Sequence, residues 1–333
     1  MNQEILINTV ARLLKLPKGL LAIDESLKTC NSRFEALGVP TTEEKRREYR
    51  ELLITAPEIE KYISGYILFD ETIRQKAKNG ENFTSVLQSK GIVVGIKVDQ
   101  GLVDFPSHPD EKITGGIDGL SARLKEYKDL GATFAKWRAV YKIGEHTPSE
   151  ELMKDNAILF AQYAVLCQKL DIVAIIEPEI LIDGYHSLEK CYETTARNLE
   201  IVFMELEALN VFLPGIILKT SMVLPGKDSK VAVSNTEIAQ NTIKCLKEKV
   251  PDTISGIVFL SGGQDDEEAT KNLNAMHKLE HLPWLLTFSY GRAIQNGALQ
   301  SWAKNPQDVK GAQKLLLQAA KNNSLASVGK YES

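Results

Sequence analysis

The segment from residue 171 to 221 reads DIVAIIEPE (171–179), then a helical pattern over 187–210, then GIILKTS (215–221). The two flanking runs are too short for helices, rich in β-branched residues and bounded by Asp, Pro or Gly, so they read as strands. Their near-continuous apolarity fits strands of a parallel sheet covered on both faces. The same unit recurs in both directions. Six more runs of this kind are GLLAID (19–24), ISGYILFD (63–70), IVVGIKVD (92–99), ATFAKWR (132–138), ISGIVFLS (254–261) and PWLLTFS (283–289). Helical patterns separate or follow them at 41–56, 117–130, 148–170, 234–249, 265–281 and 306–321. Thr41-Thr42-Glu43-Glu44 and Pro148-Ser149-Glu150-Glu151 look like helix starts, and Ser234 with Glu237 forms a capping box. Eight strand-then-helix units without a linker predict a (β/α)8 barrel, an α/β TIM barrel formed as a single domain over residues 1–333. Ile5, Leu6, Val10, Leu13 and Leu14 add an N-terminal extra helix. A doubly wound sheet is the alternative, but it would usually carry a Gly-rich phosphate loop after its first strand, where this chain has Asp24-Glu25-Ser26.

Composition narrows the partners. Of 333 residues, 43% are hydrophobic and 25% charged, the pattern of a globular protein. Forty basic against 44 acidic residues leave a net charge of −4, with no bulk attraction to nucleic acid. No apolar stretch approaches the ~20 residues needed to span a membrane. Cys30, Cys167, Cys191 and Cys245 are scattered, which predicts free thiols in a reducing compartment and a cytoplasmic location. The first residues, MNQEILINTV, lack the charged and apolar regions of a secretory signal.

Chemistry in such barrels gathers where the strands end. Here those ends carry Asp24, Lys97 with Asp99, Lys136 with Arg138, Glu177 with Glu179, and Lys219. Strand residues two apart share a face, so each pair can aim into one mouth. With Arg292 after the last strand, five cations and four anions converge, too many to bury without a use. A carbonyl-reactive lysine is the most economical use, with Lys219, Lys136 and Lys97 as candidates and Glu177 or Asp24 for acid–base work. His277 and His281 are four apart but lack an HExxH glutamate, so no metal site is expected. Leu260-Ser261-Gly262-Gly263 and Ser289-Tyr290-Gly291-Arg292 follow the last two strands, where barrels often bind phosphate. A second anion site near Lys97, Ser26 and Arg33 would suit a substrate phosphorylated at both ends.

The chain resembles class I (Schiff-base) fructose-bisphosphate aldolases over nearly its whole length. The blocks that carry the resemblance include KGLLAIDES, GIKVD, FAKWR, IGEHTPS, EPEILIDG, ILKTSMVLPG, FLSGGQ and FSYGRA. It implies reversible cleavage of fructose 1,6-bisphosphate to dihydroxyacetone phosphate and glyceraldehyde 3-phosphate, in glycolysis and gluconeogenesis, with no cofactor and no metal. It casts Lys219 as the Schiff-base lysine, Glu177 as general acid/base, Glu179 as the neighbour tuning Lys219, and Asp24 at the substrate's 4-hydroxyl. Lys136 and Arg138 match active-site cations. Ser261, Gly262 and Arg292 match the 1-phosphate site, with Gly291 beside them also binding substrate, Lys97 and Ser26 match the region of the 6-phosphate, and Arg33 matches a family position at the mouth. Partners are then sugar phosphates, not nucleic acid or membrane, and the protein a homo-oligomer, often a tetramer in the family. Two features depart from the animal members: Ser32-Arg33 replaces a Lys-Arg pair, and Tyr331 lies in the GKY segment before the position of their tail. A transaldolase-like lyase and a catalytically dead scaffold are rival readings. The Ser-Gly-Gly and Tyr-Gly-Arg loops argue against the first, and the intact Lys219, Glu177, Asp24 and Arg292 against the second.

Overall fold

A computed structural model of the chain describes residues 1–279 and 282–332. Ten strands form in chain order: β1 (Gly19–Ile23), β2 (Ile63–Leu68), β3 (Val93–Lys97), β4 (Leu102–Asp104), β5 (Lys112–Thr114), β6 (Phe134–Tyr141), β7 (Val173–Ile180), β8 (Ile216–Thr220), β9 (Gly256–Phe259) and β10 (Leu285–Tyr290). Eight of them close into a parallel barrel in the order β1-β2-β3-β6-β7-β8-β9-β10, and β4 with β5 makes a small antiparallel hairpin beside it. This is the (β/α)8 barrel expected from the sequence.

The barrel interior changes character along its axis. One apolar layer is made of Leu20, Ile67, Val93, Phe134, Val173, Ile175, Ile217 and Val258. Two residues further along three of these strands, on the same face, stand Lys136, Glu177 and Lys219. A single step of the strand period thus converts packed core into chemistry. The helix Gln3–Leu13 closes the barrel's other end, placing Leu6, Val10 and Leu13 against the same layer. Glycines make room for it: a Cβ on Gly65 would lie 2.6 Å from a Leu13 methyl, and one on Gly95 only 2.2 Å from the Phe134 ring. Pro178 comes after the last β7–β8 pair, Ile176 with Leu218, where its missing N–H costs no ladder bond to β8.

The expected helices form with shifted ends, mostly trimmed, although the last runs on to Ala326, and their caps are those the sequence marks. Thr42, Ser149 and Ser234 accept backbone N–H groups, the last in a full capping box with Glu237. The pattern over 265–281 yields a helix that stops at Met276. Glu280, His281 and Ser333 lie outside the described residues, so the proximity of His277 to His281 is not addressed. Among the described residues four α-helices fall outside the sequence pattern, Leu27–Glu35, Asp70–Ile73, Phe83–Ser89 and Arg292–Lys304. The last contains Asn296 and Gly297, poor helix formers that lower its intrinsic propensity. All four cysteines are buried and free.

The packing at Gly95 gives a stability test. Gly95→Ala should destabilise the fold by about 1–3 kcal/mol through overpacking against Phe134. Adding Phe134→Leu should recover part of that loss, read as the denaturation midpoint of the single and double variants.

Candidate active site

Four strands deliver one ion cluster. The Lys136 ammonium from β6 lies 2.7 Å from Asp24 Oδ2, just past β1, and 2.9 Å from Glu177 Oε2 on β7. Lys219 Nζ on β8 lies 3.0 Å from the other Glu177 oxygen, Oε1. Lys219 and Glu177 are each only 3% exposed. Around this centre, Lys97 Nζ sits 2.6 Å from Asp99 Oδ1, and Arg138 Nε donates to Glu179 Oε2. Asp24 Oδ2 and Glu177 Oε2 accept no well-directed hydrogen bond, so charge rather than bond direction holds them.

Protonation follows from this arrangement. Burial pushes the Asp24 carboxyl up, but the ammonium groups of Lys136 and Lys219 outweigh it and bring it down to about 2. Glu177 is likewise lowered: burial opposes ionisation, and Lys136, Lys219 and Arg138 overcome it. Burial disfavours the Lys136 charge, but Asp24 and Glu177 together hold its proton well above the usual lysine range. Lys136 is therefore a fixed cation at neutral pH.

The cluster forms the floor of a cleft of about 810 Å³. Its rim carries Ser261, Gly262, Gly291 and Arg292, which follow β9 and β10, and Ser26, Lys28 and Arg33, which follow the adjacent β1. Gly262 and Gly263 adopt φ of +55° and +86°, a left-handed turn that glycine enters without strain. Gly291 precedes the helix Arg292–Lys304, so this rim also presents a helix N-terminus. Every site residue expected from the sequence lines this cleft or its floor. Two of them have other partners than expected. Among the described residues the carboxylate within 4 Å of Lys219 Nζ is Glu177, while Glu179 pairs with Arg138. Arg33 is engaged by Glu25, by Gln295 Oε1 at 3.3 Å and by Asn296 Oδ1 at 3.2 Å. Ser26 Oγ caps its own helix by accepting Thr29 N–H.

Sequence reasoning missed Ser289 as a site residue in its own right. It lines the cleft two residues from Gly291, is buried, and its Oγ has no hydrogen-bond partner. Its signal was present, since it is the penultimate residue of β10 and lies two residues before Gly291. Tyr331 is placed away from the cleft, its backbone held by both side-chain atoms of Asn274 at 3.0 and 3.1 Å. Among the described residues no group of three or more His, Cys, Asp or Glu side chains is placed to hold a metal ion.

Residues 5–333 match the family model described as fructose-bisphosphate aldolase class-I. A probable fructose-bisphosphate aldolase class 1 of Xanthomonas campestris pv. campestris is 49% identical over 336 residues, covering 100% of both chains. The cytosolic fructose-bisphosphate aldolase 4 of Arabidopsis thaliana is 48% identical over 95% of this chain and 80% of its own. A solved ternary co-crystal structure of fructose-bisphosphate aldolase from Plasmodium falciparum, in complex with TRAP and a small-molecule inhibitor, is similar with a TM-score of 0.97. It is 43% identical, over 99% of this chain and 96% of that one. A parallel barrel with a buried lysine–carboxylate cluster at its mouth defines the general type of molecule. The chain belongs to the class I fructose-bisphosphate aldolase family, a family of lyases.

The lowered Asp24 carboxyl sets a pH expectation. Its folded value lies below the ordinary ~3.9 of an unfolded aspartate. The stability it contributes is thus complete above about pH 4 and lost as pH falls from there toward about 2. In carbon-13 spectra, the Asp24 carboxyl, assigned through Asp24→Asn, should stay ionised down to pH 4. A titration midpoint at or above the ordinary value would contradict the ion cluster.

Proposed function

We propose that this protein cleaves fructose 1,6-bisphosphate reversibly to dihydroxyacetone phosphate and glyceraldehyde 3-phosphate through an imine on Lys219. The observation that carries the reading is the Lys219–Glu177 contact on the floor of a cleft with cationic rims. Lys136 is held between two carboxylates and keeps its proton, so it is a poor nucleophile. Lys97 is engaged by the side chain and the carbonyl of Asp99. Lys219 is the remaining candidate, and its carboxylate partner Glu177 is the group best placed to take its proton.

The steps balance on these residues. Glu177 accepts a proton from Lys219, and the freed amine adds to the C2 ketone. Glu177 then returns that proton to the carbinolamine hydroxyl, water leaves, and an iminium forms. Asp24 takes the proton of the 4-hydroxyl while the C3–C4 electron pair moves toward the iminium nitrogen, giving an enamine and the aldehyde. Protonation at C3 and hydrolysis release the second triose phosphate. Lys136 keeps Asp24 and Glu177 ionised between proton transfers. Positioned acid–base groups typically contribute about 10²–10⁴-fold each. Arg138 is held by Glu179 near the mouth, where its charge acts on Glu177.

Ser261, Gly262, Ser289, Gly291 and Arg292 would hold the 1-phosphate through hydroxyls, backbone N–H groups and a guanidinium. Lys97, Ser26 and Arg33 would serve the 6-phosphate side. The reading includes no cofactor, because the iminium is itself the electron sink. The family membership supports a single-domain barrel acting in glycolysis and gluconeogenesis, as a cytoplasmic homo-oligomer, often a tetramer.

Borohydride added with dihydroxyacetone phosphate should fix one adduct per chain on the peptide containing Lys219, with or without a chelator. Adduct on Lys136 or Lys97, or trapping that persists in Lys219→Ala, would overturn the assignment.

A further inference from the structure

The two groups of rim residues, after β1 and after β10, are remote in sequence, yet one buried amide ties them together. Gln295 lies in the first turn of the helix that Arg292 opens, and it is fully buried. Its Nε2 donates to Ala22 O at 2.5 Å, two residues before Asp24 on β1. Its Oε1 accepts the Tyr49 hydroxyl at 2.9 Å and Arg33 Nη1 at 3.3 Å. The helix sits close enough to β1 that a Cβ on Gly291 would come within 3.3 Å of the same Ala22 carbonyl. Next to Gln295, Asn296 Oδ1 takes the other end of the Arg33 guanidinium at 3.2 Å.

On the far side of Arg33 the brace continues inward. Glu25 pairs with Arg33 and also with Arg50 Nη2 at 2.9 Å. Arg50 is itself buried and lies 5.6 Å from the centre of the Tyr49 ring. Arg33 is therefore not a mobile surface arginine. Its direction is set by a buried amide on one side and a buried ion pair on the other.

We propose that Gln295 is a positioning residue that fixes the distance between the two anion grips, and so sets the preference for a doubly over a singly phosphorylated ketose. This rests on the reading that the cleft holds a bisphosphate. The Oε1 arm orients Arg33 on the helix that follows β1. The Nε2 arm clamps the Arg292 helix to β1 itself, just before Asp24. Loss of the joint leaves both grips intact but lets their separation vary. A substrate gripped at one end is little affected by that separation, whereas one gripped at both ends needs it fixed.

The test compares kcat/KM for fructose 1,6-bisphosphate and fructose 1-phosphate in Gln295→Met and Tyr49→Phe. Gln295→Met keeps the side-chain length and removes all three bonds; Tyr49→Phe removes one and leaves the packing. The bisphosphate-to-monophosphate ratio should fall at least fivefold in Gln295→Met, mainly through KM of the bisphosphate, and two- to threefold in Tyr49→Phe. A merely structural role would lower both substrates together and leave the ratio unchanged, and that result overturns the proposal. If Gln295→Met does not fold, the ratio in Tyr49→Phe alone decides. A wild-type protein that cleaves neither ketose would instead overturn the functional reading, so the two failures are distinguishable.

Discussion

One ammonium shared by two carboxylates holds this site together. Lys136 bridges Asp24 and Glu177 from a strand between theirs in the barrel, and all three side chains are buried. Removing such charges from water costs several kcal/mol each, a cost offset only when every charge has a close partner. Deleting Lys136 would leave two buried carboxylates facing each other with Lys219 as the cation between them. The cluster therefore requires strands from different parts of the chain to stop at matching heights, and barrel closure with its fixed stagger provides that. The register shows the stagger: Lys136 pairs with Ile175, two residues before Glu177, and Lys97 pairs with Lys136.

The apolar layer beneath makes the cluster possible. Phe134, Ile175 and Ile217 fill the barrel directly below Lys136, Glu177 and Lys219, and the N-terminal helix closes the end behind them. Water reaches the charges from the cleft side only, where a substrate would displace it. The same layer explains why the site can be both polar and rigid. Lys136, Glu177 and Lys219 are anchored on strands packed as tightly as any core, and Asp24 follows directly on another, so their spacing depends little on loops.

Much of this was legible in the sequence, for a local reason. Strand alternation places residues two apart on one face, so FAKWR and EPE mark inward pairs by their spacing. Glycines and an arginine after the last two strands mark the anion rim in the same local way. What was not legible lacks a local mark. The joint at Gln295 links residues separated by 246, 262 and 273 positions. The helices that bear Arg33 and Gln295 were themselves not expected from the sequence. The pairing of Glu179 with Arg138 rather than Lys219 is likewise a matter of side-chain reach that strand alternation does not encode.

The most direct test of the account is the pH dependence of imine formation in Lys136→Met, measured under single-turnover conditions with dihydroxyacetone phosphate. Lys136 is the largest of the charges that lower Glu177 against its burial. Without that charge the Glu177 carboxyl should rise, and the acid limb of imine formation should move up by about one pH unit or more. An acid limb at the wild-type position would mean that Lys136 does not govern the proton on Glu177, and would contradict the account.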